Sequence, residues 1–365
     1  MLNPQRLFAF LTVLLLSIYL KAQEYSLKDY LTENEDIRYK VDSIFNSLDD
    51  TGRVAQTIIS SIGKLGKDIE YVKQLIKDRR IGGVNVLGDE KENQKKQLVE
   101  LSQINTNSGA VPLLYSMDAE PSLLNSRSIG SQYVKNTNEI IDSNDCIIQV
   151  TRINNELIYL GIKHNYAPVC DVSLNNTAIK NRSFGSDYPR IISLSNVFIN
   201  ETHKSNILAT AKHFPGHGLV KGDTHKQKVF IDGSLKELSI YEELIENGVL
   251  SIMVAHLTII NNDKYNTGDI PATCSKKIIT GLLKSELGFK GIIITDALGM
   301  QAAKNIEDMP LKASMAGCDI LLMPEDEEKT LFSILAEMEE NEEYKYQVYE
   351  SVKKILRMKV CLGLI

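Results

Sequence analysis

Seven short apolar runs recur along this chain, at residues 83–87, 112–117, 166–171, 207–211, 251–255, 292–295 and 319–323, with amphipathic helical stretches between them. Continuous apolar runs suit strands buried on both faces, and their alternation with helices suits a parallel sheet. Several runs end in, or lead straight into, a polar group: Asp118, Asp171, Lys212-His213, His256 and Asp296. One such end is an ordinary strand terminus. Five of them predict a single polar face, because the C-terminal ends of barrel strands are where barrels carry chemistry. The expected fold is therefore α/β, a single (β/α)8 TIM-type barrel with irregular first strands; a doubly wound open sheet is the alternative. An eighth strand is expected around Pro271-Ala-Thr-Cys.

Helix ends are readable between the strands. Ser234-Leu-Lys-Glu237 has the spacing of a capping box and predicts a helix running to about Asn247, closed by Gly248. Ser275 opens another that stops at Gly288, and residues 342–358 form a final amphipathic helix. The expected organisation is a signal peptide at 1–22, a polar linker at 23–36 and one barrel from 37 to 365.

The densest chemistry lies between Lys212 and His225, where three of the six histidines fall. His213 and His217 have the spacing that would place two zinc ligands on one helical face. Pro215, Gly216 and Gly218 interrupt any such helix, so no metal is expected. Asp223-Thr-His225 is the sharper pattern, since residues two apart share a side in extended chain. An Asp beside a His orients the ring and raises its proton affinity, which suits a general acid/base near neutral pH. A solvated loop that happens to carry both residues is the plain alternative. The carboxylate best placed as a nucleophile is Asp296, at the end of the buried run Gly291-Ile-Ile-Ile-Thr.

Together with Met253-Val-Ala-His256, Pro271-Ala-Thr and Ile294-Thr-Asp-Ala-Leu-Gly-Met300, the Lys212–His225 stretch resembles glycoside hydrolase family 3, in its β-N-acetylglucosaminidase branch. The resemblance extends in order from about Val41 to the C-terminus. It implies retaining hydrolysis of terminal β-linked N-acetylglucosamine, in peptidoglycan fragments or chitooligosaccharides. Asp296 would be the nucleophile and His225, paired with Asp223, the acid/base. Asp118, Arg182, Lys212 and His213 would contact the sugar, with His256 as a weaker candidate that buttresses the site. No cofactor is implied. Phosphorolysis, β-glucosidase activity and non-catalytic sugar binding remain open beside hydrolysis.

Lys212 and His213 are neighbours, and neighbours on a regular strand point to opposite sides. Both can face a sugar only if the backbone is distorted, so a departure such as a cis peptide is expected within 212–215. The chain departs from the family pattern after Asp118-Ala-Glu120, where Pro121-Ser122 replaces a Gly-Gly or Trp-Gly pair. The arginine of that pattern is displaced to Arg127 and is not carried over.

Arg6 followed by the apolar run 7–20 and a polar turn reads as a signal peptide cut after Ala22, with an uncleaved anchor as the alternative. No cysteine precedes Cys146, so no lipid-anchored form is expected. The protein should be exported, periplasmic or secreted, and off the membrane once cleaved. Five cysteines with apolar neighbours suggest buried free thiols, with one or two bridges at most. A formal charge of −6 without a basic cluster gives no footprint for nucleic acid. The expected partner is a carbohydrate, and the expected state a monomer or weak homodimer.

Overall fold

The computed structural model describes residues 25–173, 179–220, 229–300 and 306–365. Its main strands are β1 (Ile58–Ile62), β2 (Gly83–Val86), β3 (Leu114–Met117), β4 (His164–Asn165), β5 (Leu208–Ala209), β6 (Ala211–Phe214), β7 (Ser251–Val254), β8 (Ile292–Thr295) and β9 (Leu321–Leu322). Every ladder between them is parallel. One runs in the order β9-β1-β2-β3-β4-β5 and the other in the order β8-β7-β6. Thr210 alone separates β5 from β6, and its N–H donates to the carbonyls of both Asn165 and Ala167. At the other side Ile294 bridges Ile320, and the Thr295 N–H donates to the Ile320 carbonyl. The result is an α/β fold around a curled parallel sheet.

Helices cover the outside of this sheet with apolar stripes at helical spacing. In Ser143–Leu160 the buried residues Cys146, Val150, Ile153, Leu157 and Leu160 face inward; Asp142 caps the N-terminus through the Asp145 N–H, and Gly161 at φ 85° closes it. Full burial of each aliphatic side chain is worth roughly 1.5–3 kcal/mol, so such stripes hold the helices in place. The inside of the curl also carries polar groups. The Tyr166 hydroxyl donates to Ser116 Oγ at 2.8 Å, and His164 Nε2 lies 2.8 Å from Thr210 Oγ1. Burial pushes the pKa of His164 down to about 3, so it is a neutral core histidine.

Several details depart from the sequence reading. The additional strand is β1, whereas Pro271-Ala-Thr-Cys forms a short 3-10 turn over Ala272–Cys274. The expected run 166–171 contributes only a single bridge, Val169 to Lys212, and the ladder sits earlier, at β4. Pro168, joined to Ala167 by a cis peptide, has no N–H to give a ladder. The helix expected from Ser234 begins at Leu238, and Glu237 turns its carboxylate elsewhere. The stretch expected as a linker is docked over its described part. Leu27 and Tyr30 are buried, and Arg357 donates to the carbonyls of Asp29, Tyr30 and Thr32.

Other expectations hold. A helix covers Lys277–Glu286 before Gly288 at φ 65°, and the final helix spans Glu342–Cys361. The five cysteines are free, with all but Cys274 buried. The apolar segment 7–20, expected as a signal peptide, lies outside the described residues, among which no helix is long and apolar enough to cross a membrane; this leaves the expectation about the membrane untouched.

At the N-terminal end of the sheet, the fully buried Lys359 ammonium donates to Gln56 Oε1 at 2.8 Å and to the carbonyls of Gly82 and Pro112 at 2.9 and 2.7 Å. These acceptors immediately precede β1, β2 and β3. All three are uncharged, and burial pushes the Lys359 pKa down to about 7.

Candidate active site

The opposite end of the sheet opens into a cleft of about 680 Å³, whose wall includes Asp118, Arg182, Lys212, His213 and Asp296. That is a volume suited to a small ligand. Each residue arrives at the wall from the end of a strand or from the loop after one.

Lys212, on β6, is buried to its tip. Its Nζ lies 2.7 Å from Asp118 Oδ1, just past the end of β3, and 2.6 Å from Glu120 Oε1. Glu120 is fully buried and also receives Arg182, whose Nε and Nη2 donate at 2.8 and 2.7 Å in a two-pronged pair. Burial opposes the charge on Glu120, but Arg182 and Lys212 outweigh it and hold the carboxyl far below the usual range. For Lys212 burial is again the opposing force, and Asp118 and Glu120 overcome it to raise the ammonium pKa. Two acids and two bases thus form a continuous line, Asp118–Lys212–Glu120–Arg182. Its outer members reach the cleft as charged hydrogen-bonding groups, while Glu120 fixes where they stand.

His213 reaches the same wall because the β6–β7 ladder skips it. Lys212 pairs with Met253 and Phe214 with Val254, so His213 is an extra residue in the ladder. The peptide between Lys212 and His213 is cis, as is that between Phe214 and Pro215. The backbone distortion expected within 212–215 is present. Asp171 holds the irregular segment: its carboxylate lies 2.7 Å from His213 Nδ1 and accepts the backbone N–H groups of His213 and His217. Since Nδ1 is taken by Asp171, any polar contact His213 makes in the cleft uses Nε2. Burial works against the charge of Asp171, yet His213 outweighs it and lowers the pKa.

Asp296 leaves the end of β8 with its N–H on the Val254 carbonyl at 2.9 Å, and its Oδ1 accepts the Ala297 N–H at 2.8 Å. His256 stands behind it rather than on the wall. Its Nδ1 lies 3.0 Å from Thr273 Oγ1 and its Nε2 3.1 Å from the Ala297 carbonyl, and the ring is buried. It braces the loop after Asp296, so it is not placed as a sugar contact. Asp223 and His225 lie outside the described residues.

Sequence reasoning missed Glu120 as a site residue. Its position two after Asp118 was the available signal, because residues two apart in extended chain face one way. Asp171 was read only as a strand end, and Glu237 only as a helix cap. Arg127, set aside because it is displaced, does line the cleft.

The Glycosyl hydrolase family 3 N terminal domain model matches residues 51–358. A β-hexosaminidase of Haemophilus influenzae is 36% identical over 182 residues, covering 47% of this chain and 50% of that protein. The aligned part thus spans about half the length of that curated relative. A glycoside hydrolase family 3 β-N-acetylglucosaminidase from Paenibacillus sp. str. FPU-7 superposes with a TM-score of 0.79 and 28% identity, over 87% of this chain and 63% of that one. A β-glucoside phosphorylase, BglX, superposes with a TM-score of 0.80 and 25% identity, over 91% and 62%.

Proposed function

This chain belongs to glycosyl hydrolase family 3, and on that premise we propose that it is an exo-acting, retaining β-N-acetylglucosaminidase. Its substrates are glycans ending in β-linked N-acetylglucosamine, such as peptidoglycan fragments or chitooligosaccharides. The observation that carries the reading is the meeting, on one cleft wall, of Asp296 and His213 with Asp118, Lys212 and Arg182, the last three tied together through the Lys212–Asp118 pair and the buried Glu120 behind them. A complete (β/α)8 barrel is part of the same proposal. The Ile294–Ile320 bridge and the continuity of β5 with β6 support it, since together they link each strand to the next around the curl. Export through the apolar N-terminal segment is a further part.

In this mechanism Asp118, Lys212, Arg182 and His213 hold the terminal sugar by charged hydrogen bonds. An Asp296 carboxylate oxygen attacks the anomeric carbon, and a covalent glycosyl ester forms as the bond to the leaving oxygen breaks. His225 gives its proton to that oxygen. It then takes a proton from the water that attacks the same carbon from the vacated side, which frees Asp296 and restores the β configuration. Asp223 keeps the imidazole in the required tautomer and offsets its charge when protonated.

Assays with p-nitrophenyl N-acetyl-β-glucosaminide and with p-nitrophenyl β-glucoside, each with and without phosphate, test the reading. Preference for the N-acetyl substrate, with free sugar as product, is expected. A preference for the glucoside would move the chain to β-glucosidase activity. Sugar phosphate as the main product would make it a phosphorylase, the activity of BglX. Binding without turnover of either substrate would leave a sugar-binding protein.

A further inference from the structure

Among the described residues, four lysines and arginines line the cleft, and three of them are matched by carboxylates: Lys67 by Glu327, Arg182 by Glu120, and Lys212 by Asp118 and Glu120. Arg127 is the exception. No carboxylate among the described residues pairs with its guanidinium, and its Nε is closed off from solvent without a hydrogen-bond acceptor. An arginine keeps its charge at any working pH, and a buried donor left unpaired is costly.

The backbone that carries Arg127 is held on both sides. Its N–H donates to the Leu123 carbonyl at 2.9 Å, its own carbonyl accepts Gln94 Nε2 at 2.6 Å, and the next residue, Ser128, pairs with Asp89 in a short parallel ladder. Earlier in the same loop, the Ser122 hydroxyl donates to the Asn181 carbonyl at 2.7 Å and accepts the Thr137 N–H at 2.8 Å, which fastens the loop beside Arg182.

This ladder stands outward of the sugar-binding wall. Strands β2 and β3 end level, with Val86 opposite Met117. Asp118 follows β3 directly, whereas Asp89 lies three residues past β2, a reach of up to about 10 Å in extended chain. An exo-acting enzyme holds the terminal sugar deepest, so Arg127 meets the part of the substrate that departs. There the described lining offers no Phe, Tyr or Trp on which a neutral pyranose could stack. It offers a planar fork of donors that matches the two oxygens of a carboxylate.

We propose that Arg127 is a specificity-determining residue that binds a carboxylate on the aglycone, so that N-acetylglucosaminides of an acidic sugar are preferred to those of a neutral one. The inference rests on the reading under Proposed function and narrows its substrates. Two acidic sugars present this chemistry, a muramic acid through its lactyl ether and a uronic acid through its own carboxylate.

The test measures kcat/KM for disaccharides in which β-linked N-acetylglucosamine is joined to N-acetylmuramic acid, to glucuronic acid or to N-acetylglucosamine, with the methyl esters of the two acids as uncharged controls. Wild type should favour one acid over its ester by about 10-fold or more, and the acid that shows the preference identifies the source. Arg127→Gln should lose about 10- to 100-fold on that acid, the scale of one charged hydrogen-bonded contact, and stay within about threefold on the neutral disaccharide. Arg127→Lys, a point charge without the fork, should fall between. Should the Gln variant not fold, the Lys variant decides by the same acid-to-ester ratio. Equal treatment of acid and ester by wild type, or equal losses on acid and neutral disaccharide in the Gln variant, would overturn the inference. So would sugar phosphate formed by wild type and lost in the Gln variant, which would give Arg127 to inorganic phosphate. Failure of wild type to cleave any of these N-acetylglucosaminides would instead overturn the functional reading, a result that involves no Arg127 variant.

Discussion

Two lysines are buried at opposite ends of the sheet, and their surroundings differ in one respect. Lys212, at the C-terminal rim, touches two carboxylates, and its pKa is raised. Among the described residues Lys359, at the N-terminal end, touches an amide oxygen and two backbone carbonyls but no carboxylate, and its pKa falls to about 7. Burial opposes the charge in both cases, so the difference comes from the partners. At the rim the ammonium lines the cleft between its two carboxylate partners. At the base an amine ties the starts of β1, β2 and β3 together, which is a structural task. Burial is common to both lysines, so what distinguishes them is the pair of carboxylates and the open cleft beside Lys212.

The largest effect expected at the rim is that of Asp296→Asn. Turnover should fall by about 10³-fold or more, as for loss of a covalent nucleophile, while the melting temperature stays near that of wild type. Activity within tenfold of wild type would remove Asp296 from the mechanism and the rim from its functional half of the comparison.

Exchanging each lysine for methionine breaks the comparison directly. Lys212→Met should lower kcat/KM by about 100-fold, corresponding to about 2.7 kcal/mol of transition-state stabilisation. Lys359→Met should leave kcat/KM within about twofold and instead destabilise the fold by about 1–3 kcal/mol, the cost of leaving buried acceptors without a donor. Activity assays and denaturant melts on both variants would show whether the two roles separate in this way.

The smallest effect is a pH slope in stability. Lys359 has a folded-state pKa of about 7, below the unfolded value of about 10.4. Between those values the unfolded chain binds more protons, so stability should rise with pH from about 7 to 10, by at most about 1.4 kcal/mol per unit. Lys212 has the opposite sign. Its contribution is fully present below the unfolded pKa and is lost only as pH rises through its higher folded value. Melts of wild type minus Lys359→Met should therefore isolate a positive slope over pH 7–9, and a flat difference would mean that Lys359 stays charged throughout.

Much of this division could be read in the sequence. The runs ending at Asp118, Lys212 and Asp296 announced the rim because the curled sheet is apolar up to the point where it meets solvent. The adjacency of Lys212 and His213 required an irregular backbone, and one is present. By contrast, β1 escaped notice because Ser60 and Ser61 interrupt its apolar pattern; Ser60 donates to the buried Glu327 at 2.5 Å, and Ser61 lines the cleft. Glu237 was misread because a glutamate three residues after a serine has the spacing of a cap, and only the tertiary fold shows that Val172, Gly218 and Leu219 claim it. Lys359 carries no sequence signal at all, being one lysine among several on an amphipathic helix. Its partners come from three distant segments.

The supernumerary residue at His213 separates wall from chemistry. Ala211 aligns with Ile252 and Phe214 with Val254 on either side of the extra residue at position 213. On the proposed reading, the residue that meets the sugar here is therefore an addition to the ladder and not one of its rungs.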